Sequence, residues 1–545
     1  MKKRLFIISE TVDYKFLKEN LNDSTEILAL TPISMLSLDS TNTKYKTIHD
    51  YYSIEDYKNE LVLMRADAEK IFLKIDKVID KYLNFKYSYS GNNHYFMQFL
   101  GDMLFFEKLS LKINKIFSDI YILGFDNFEE LSWSSLNYSD LKSSPSSETI
   151  SIPQTTGLKN IIKIFQNTIN FKPNHNLVGY KSKNIEALSN ISLQAYYNRG
   201  KRFLKRSIFL RTKRNNKYNT NKNIFVIQDG YEVELLKPYM KEYNFINDFN
   251  KIRERNALIK PKTLYSFDEI SSVLKPFLEF FWPKLSSLII SLLISYDREV
   301  VGRIIAFKTL FEKSFQKNKP KALFYSVGNR DVFDTITSQL ANKSNIPVIY
   351  FQHGGATIYF DCMYQKYVET DKKTKKILIL NSSVENININ HNDSKSAALG
   401  SMLRYEWINS HSRIKNKKNK IIYVSSAFSS DRFRQLENSH NSKEAYQISS
   451  DIINIVKNKN VNLDIKPHPS GYNNQIKYYK ELLKIKNYKK ARIIYGAKAE
   501  DIIQKYGLII IDSLASTVTS HLLSLKVPIL LYVKDISLIN KIVLK

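Results

Sequence analysis

Cysteine is nearly absent: Cys362 is the only one in 545 residues. No intramolecular disulfide and no cysteine-based metal site can form, which fits a reducing compartment. Long apolar runs are missing too. The most apolar stretch, 285–294, is too short to span a bilayer and follows Glu279, Pro283 and Lys284, so it reads as a buried helix. The N-terminal MKKRLFIISETVDY has an apolar core of only Leu5–Ile8 and no small-residue cleavage site, which marks a first strand and not a signal peptide. A cytoplasmic protein without a membrane span is expected. There is no GxGxxG, no P-loop and no Asp-x-Asp at a strand end, so neither a metal ion nor a resident cofactor is expected.

Acidic residues are scarce relative to basic ones, 53 against 82, for a formal net charge of +29. Such an excess favours an acidic partner: an anionic lipid surface, a phosphorylated substrate or nucleic acid. Nothing resembles an RNA- or DNA-binding module, so nucleic acid is not the expected partner. The basic excess peaks in 192–222, where Lys201, Arg202, Lys205 and Arg206 interleave with Phe203, Leu204, Ile208 and Phe209. This segment reads either as a helix lying on an anionic membrane or as a solvated helix running into an Asn/Lys-rich loop.

Apolar residues make up 43% of the chain, enough for large cores. Residues 4–8, 26–30 and 119–125 read as strands. Between them, 54–82 is a helix with Leu61, Met64, Ala68, Ile71, Ile75, Val78 and Tyr82 on one face. A second helix over 94–116 completes a hairpin. Residues 132–157 are a Ser-rich linker. From 223 strands and helices alternate: strands at 223–228, 321–327, 347–352 and 377–380, helices at 231–243, 331–344 and over much of 268–316. After a basic spacer, 413–420, a second series has strands at 421–425, 462–466, 492–495, 508–512 and 528–533, with helices at 443–458, 473–486, 499–506 and 515–525. Alternation of this kind predicts parallel sheets covered by helices. The expected fold is α/β: two Rossmann-like domains, 1–400 and 401–545, facing across a cleft, with helical insertions in the first.

Three strand ends carry candidate chemistry. VNLDIKPHPSGY places Lys466, His468 and Ser470 after a strand, in a loop stiffened by Pro467 and Pro469. Strand ends are where open α/β sheets bind ligands, so this is either a phosphate site or a Pro-rich turn. YFQHGGA puts His353 at a strand end, followed by Gly354 and Gly355, which permit close backbone approach; the imidazole is a general-base candidate or a structural turn residue. In LIIIDSLASTVTSHLLSLKVP, Ser513, Ser516 and Thr517 open a helix, as phosphate ligands or as simple caps. Asp229-Gly230 ends another strand and reads as a turn; it also resembles the acid-Gly pair that supplies the base in some sialyltransferase families, but Gln228 stands where those have a preceding acid. Asp331 and Asp334 read as helix-flanking residues.

The motifs QHGG, KPHPS and DSLAST…KVP, with the ALGSM turn at 398–402, resemble GT-B-type transferases of bacterial surface carbohydrate synthesis, covering about 320–533. These include capsule and O-antigen glycosyltransferases and CDP-glycerol polymerases. The 54–116 hairpin with its GNNHYFMQFLGDML segment resembles transferases encoded in O-antigen loci, and much of 125–320 resembles nothing identifiable. The resemblance implies a metal-independent glycosyltransferase taking a nucleotide-activated sugar to a lipid-linked surface glycan. A polyol-phosphate transferase using a CDP-glycerol-type donor, or a non-catalytic polyanion-binding relative, are the alternatives. It further implies that His353 serves as base or acceptor-site residue, while Lys466, His468, Pro469, Ser513, Ser516 and Thr517, with His521, Gly354 and Gly355, hold the donor. Two features depart from the pattern. His521 stands where many relatives have a Glu that contacts the donor ribose, and the chain ends at Lys545, before the usual crossing-back helices.

Overall fold

A computed structural model describes residues 3–8, 14–83, 93–123, 222–228, 233, 236–237, 239–260, 267–325, 332–351, 377–380, 395–398, 417–426, 442–468, 472–497, 499, 501–512, 518, 522 and 527–532. Among these, every strand pairs in parallel, in three sheets. β1 (Arg4–Ile8), β2 (Thr25–Ala29) and β3 (Asp119–Leu123) form a sheet of order β2-β1-β3. β4 (Asn223–Gln228), β5 (Asn244–Ile246), β6 (Ala322–Tyr325), β7 (Val348–Phe351), β8 (Ile377–Leu380) and β9 (Lys395–Ala398) form the second, of order β5-β4-β6-β7-β8-β9. β10 (Lys417–Val424), β11 (Asn462–Lys466), β12 (Ala491–Ile493), β13 (Tyr506–Ile511) and β14 (Ile529–Leu531) form the third, of order β12-β11-β10-β13-β14. The third order is the doubly wound one in which the chain leaves the first strand in one direction and returns to its other side. The α/β class with Rossmann-like sheets and helical insertions in the N-terminal half is the expected one. Residues 1–400 hold the first two of these sheets.

The strands are apolar on both faces because helices cover both faces. In β1, Leu5 and Ile7 enter the largest core, while Phe6 and Ile8 enter a separate one. The helices of the N-terminal half are α1 (Tyr14–Asn20), α2 (Pro32–Asp39), α3 (Ile48–Tyr51), α4 (Ile54–Leu83), α5 (Asn93–Ile116), α6 (Phe249–Ala257), α7 (Phe267–Phe281), α8 (Ser286–Asn318) and α9 (Val332–Lys343). The largest core joins the first two sheets through α3 to α9, while α1 and part of α2 pack into the smaller core on the other face of β1. The third sheet carries α10 (Ser442–Asn458) and α11 (Tyr472–Ile485).

The hairpin forms as its periodicity predicts. The buried stripe of α4 is Leu61, Met64, Ala68, Phe72, Ile75, Ile79 and Leu83, so Tyr82 sits on the rim and its hydroxyl donates to Glu269 of α7. Gly101 lets α5 approach α4: a Cβ there would lie 3.0 Å from Leu61 Cδ1. Glu107 of α5 is buried and accepts the Lys284 N–H at 2.9 Å, just before α8 begins. Burial pushes its carboxyl pKa up, against the pull of that N–H and the Lys284 charge. The apolar run at 285–294 is the buried start of α8, with Leu285, Ile289 and Leu293 in the core. No helix among the described residues is long and apolar enough to cross a membrane.

Asparagine does here what glycine usually does at helix ends. After α2, α9, α10 and α11 the chain turns through Asn42, Asn345, Asn460 and Asn487, each with φ between 47° and 55°. The residue following each Asn then bonds back across the turn, as Ile346 N–H does to Ala341 O and Tyr488 N–H to Leu483 O. This is the left-handed cap that satisfies the last carbonyls of a helix, and Asn tolerates it better than any other non-glycine residue.

α2 joins the first sheet to the third. Thr31 and Ser34 form a capping box, with Pro32 in the first turn, so TPIS is a strong helix start. Ile33 and Leu36 then pack into the core beneath α10 and α11, and Tyr446 of α10 donates its hydroxyl to Asp39.

Three sequence expectations fail. Of the helix expected over 231–243, only Val233 and Leu236 are helical among the described residues, and 239–243 are turns leading into β5. The segment 499–506 is not an α-helix but a set of turns with a 3-10 turn at Ile503–Lys505, because the chain is already entering β13 at Tyr506. The basic spacer 413–420 is partly strand: Lys417–Lys420 begin β10.

Candidate functional site

In the third sheet the direction of winding reverses between β10 and β13, and a ligand crevice is expected above the C-terminal ends of those strands. The strands end level: Val424 pairs with Lys466 of β11 on one side and with Ile511 of β13 on the other. Four residues tie these ends together. Asp512, directly after β13, is buried; its Oδ1 accepts the Ser426 N–H at 2.6 Å and its Oδ2 accepts the Tyr423 hydroxyl at 2.7 Å. Burial and then the Asp512 charge push the Tyr423 phenol well above its ordinary range, so it stays a donor.

Gln475, in the first turn of α11, is fully buried. Its Oε1 accepts the His468 N–H at 2.9 Å and its Nε2 donates to the Ser426 carbonyl at 2.6 Å. One side chain thus spans the loops that follow β10 and β11. The Ser425 N–H adds a bond to the Lys466 carbonyl at 3.1 Å. The backbone around Ser426 is therefore held from both sides, by a carboxylate and by an amide. Its own Oγ is buried and makes no hydrogen bond among the described residues.

Of the expected donor residues, two are described. Lys466 closes β11, is 2% exposed, and donates from Nζ to the Pro467 carbonyl at 3.2 Å, so the ammonium lies under the loop. His468 stands half-buried two residues on, with its backbone fixed by Gln475. The structure brings both to the same strand-end edge as Ser426 and Asp512. His353, Gly354, Gly355, Asp229, Pro469, Ser513, Ser516, Thr517 and His521 lie outside the described residues, as do the Ser-rich linker and all of 192–222 except Lys222.

Sequence reasoning missed Ser426 and Gln475 and gave Asp512 no role. For Asp512 a signal existed: it is an acid ending an apolar strand. A Gln in the first turn of a helix carries none.

Deeper in the sheet is a different polar cluster. Asp464, at mid-β11 and 2% exposed, accepts Arg492 Nε at 2.6 Å and the Tyr506 hydroxyl at 2.5 Å, and pairs with Lys420 Nζ at 2.8 Å. Burial pushes its carboxyl up, but the donors from Arg492, Lys420 and Tyr506 outweigh that and hold it below 3.8. Asp334 of α9, expected to flank its helix, is in the first turn and fully buried, with Arg253 at 3.9 Å. Among the described residues no group of His, Cys, Asp or Glu is arranged to hold a metal ion.

No protein-family model matches the chain, and no curated protein matches it. Some solved structures do. UDP-N-acetylglucosamine 2-epimerase from Rickettsia bellii is 12% identical over 56% of this chain and 78% of its own, with a TM-score of 0.33. UDP-GlcNAc 2-epimerase from Methanocaldococcus jannaschii is 14% identical over 57% and 83%, with a TM-score of 0.31. MurG from Acinetobacter baumannii is 9% identical over 59% and 88%, with a TM-score of 0.30. At these TM-scores the likenesses assign neither a substrate nor a reaction.

Proposed function

We propose that the chain is a metal-independent, GT-B-type glycosyltransferase whose third sheet, at the β10–β13 crevice, binds the nucleotide of an activated sugar. The observation that carries this reading is the pinned edge at Ser426. A phosphate binds best to backbone and hydroxyl groups that are already fixed, because nothing then has to be ordered on binding. Asp512 and Gln475 supply that fixing, and the free Ser426 hydroxyl faces no competing partner among the described residues. Lys466 and His468 complete the edge with positive charge and a strand-end imidazole. Ser513, Ser516 and Thr517 follow Asp512 directly in sequence and join the donor side on this reading, with Pro469 stiffening the loop and His521 beside the ribose.

The acceptor is a lipid-linked surface glycan at the inner face of the membrane, held by the N-terminal domain, 1–400, across a cleft from the donor domain, 401–545. The acceptor oxygen attacks the sugar's anomeric carbon and the bond from that carbon to the phosphate oxygen breaks. The acceptor proton passes to His353, beside Gly354 and Gly355, with Asp229 as the alternative base. The charge that develops on the leaving phosphate is met by His468, Lys466 and the hydroxyl-rich helix start.

A thermal-shift series with UDP, CMP, CDP and GDP tests the reading. Stabilisation that rises with ligand concentration is expected for one base type. The matching activated donors, CDP-glycerol among them, then separate sugar transfer from polyol-phosphate transfer by product. If no nucleotide raises the unfolding temperature at millimolar concentration, the reading fails.

A further inference from the structure

α4 is 30 residues long, about 45 Å at the rise of an α-helix. Its inner face is fully committed to the largest core. Its outer face is not the uniformly polar one expected of a helix on a protein surface. Val62 is 67% exposed, Leu63 64% and Leu73 52%, and Ala66 is exposed between them. At about 100° per residue, Val62, Ala66 and Leu73 fall within about 40° of one another and form one ridge over 62–73, with the exposed Glu55 and the half-buried Asp80 on the same line beyond its two ends. Lys70, Lys74, Lys77 and Lys81 are all exposed and occupy roughly the next 60° of the helix surface, with Leu63 among them. Glu69 borders the ridge on its other side, and Asp67 pairs with Lys70 at 3.0 Å.

Single exposed apolar residues are ordinary on protein surfaces. An apolar ridge with a lysine row along one flank is a more specific pattern. Such a face lies in a lipid interface with its apolar side chains among the acyl chains and its lysines at the phosphates. The chain's net charge of +29 adds long-range attraction to the same kind of surface. We propose that the outer face of α4 is the surface by which this protein docks on an anionic phospholipid bilayer. α4 is anchored to the core from Tyr57 to Leu83, so docking would need no refolding, and α4 would lie in the membrane plane. The inference deepens the membrane-side reading of the acceptor given above, and it does not need the nucleotide site to be right.

Co-sedimentation with phosphatidylcholine vesicles, with and without phosphatidylglycerol, is the test, run without nucleotide. The full chain should bind only the anionic vesicles, and less as salt is raised. Replacing Lys70, Lys74, Lys77 and Lys81 by Gln should weaken binding on the order of tenfold or more. Replacing Val62, Leu63 and Leu73 by Ser should also weaken it, with the unfolding temperature preserved, because all are solvent-facing. Equal binding to neutral vesicles, or no binding at all, overturns the proposal. So does loss of binding only when Lys201, Arg202, Lys205 and Arg206 are replaced, which would put the contact in 192–222. Self-association abolished by the Ser replacements without any vesicle effect would give the face to a second copy of the chain, and would also overturn it. Nucleotide-induced thermal shifts are measured without vesicles, so either result can fail while the other stands.

Discussion

The third sheet buries Asp464 and Asp512 in different company. Asp464 lies mid-strand and meets two cations and a hydroxyl: Arg492 and Lys420 from the neighbouring β12 and β10, and Tyr506 from β13, the next strand but one. Asp512 lies at a strand end and accepts a backbone N–H and a tyrosine hydroxyl, Ser426 and Tyr423, with no cation among those bonds. The difference separates two uses of a buried carboxylate. Cations around Asp464 neutralise it and lock four strands to one another, which is a contribution to folding. Two neutral donors, the Ser426 N–H and the Tyr423 hydroxyl, tie Asp512 to the backbone of a strand-end loop, which on the proposed reading is a contribution to a site. The same distinction separates Lys466, turned onto a carbonyl under its loop, from Lys420, spent on Asp464.

Replacing Asp464 by Ala is the strongest way to break the comparison. It strands the buried Tyr506 hydroxyl and leaves Lys420, only 24% exposed, without its anion. Arg492 is 64% exposed and can be rehydrated, which limits the loss. A destabilisation of about 2–4 kcal/mol is expected in urea unfolding. Nucleotide affinity in the protein that remains folded should be unchanged. A large loss of affinity with little loss of stability would move Asp464 from the folding side to the site side.

Gln475 tests the other side, with a smaller effect. Gln475→Ala deletes two buried hydrogen bonds and should cost about 1–3 kcal/mol of stability. Gln475→Glu is the sharper variant. Its carboxylate can still accept from the His468 N–H but cannot donate to the Ser426 carbonyl at neutral pH. Nucleotide binding should weaken in both, and in Gln475→Glu it should recover as the pH falls and the new carboxyl protonates. Weakened binding that does not recover at low pH would mean that Gln475 fills space and does not position the loops.

How much of this could be read beforehand depended on whether the information was local. β4, β8 and β11 were legible to the residue because apolar runs between polar turns leave one solution. α4 and α5 were legible from their period, though the buried stripe of α4 runs through Phe72, Ile79 and Leu83 and leaves Tyr82 at its rim. β5 and α6 were missed because three-residue strands and a nine-residue polar helix carry little pattern. Lys417–Lys420 read as a linker because consecutive lysines argue against a strand; what holds them as strand is distant in sequence, Lys417 pairing with Tyr506 of β13 and Lys420 with Asn462 of β11, with the Lys420 ammonium on Asp464. The strand-end Lys466 and His468 were legible from KPHPS. Gln475 and Ser426 were not, since each matters only through the other.

The smallest change divides the Asp464 cluster itself. Tyr506→Phe removes one neutral donor and leaves both cations, so about 1 kcal/mol is expected at neutral pH. Its pH dependence tells more. Asp464 is held below 3.8 when folded, so it contributes stability that is fully present above that value and is lost as the pH falls through its folded pKa. Without the Tyr506 hydroxyl the folded carboxyl moves back toward 3.8, and the variant has less of this acid-sensitive stability to lose. The gap between wild type and Tyr506→Phe, measured by urea midpoints from neutral to acid pH, should therefore shrink as Asp464 protonates. A gap constant across that range would mean that the hydroxyl acts through packing in β13 and not through the carboxylate. The cluster would then rest on its cations alone, in sharper contrast to the pair of bonds that Asp512 accepts from the neutral Ser426 N–H and Tyr423 hydroxyl.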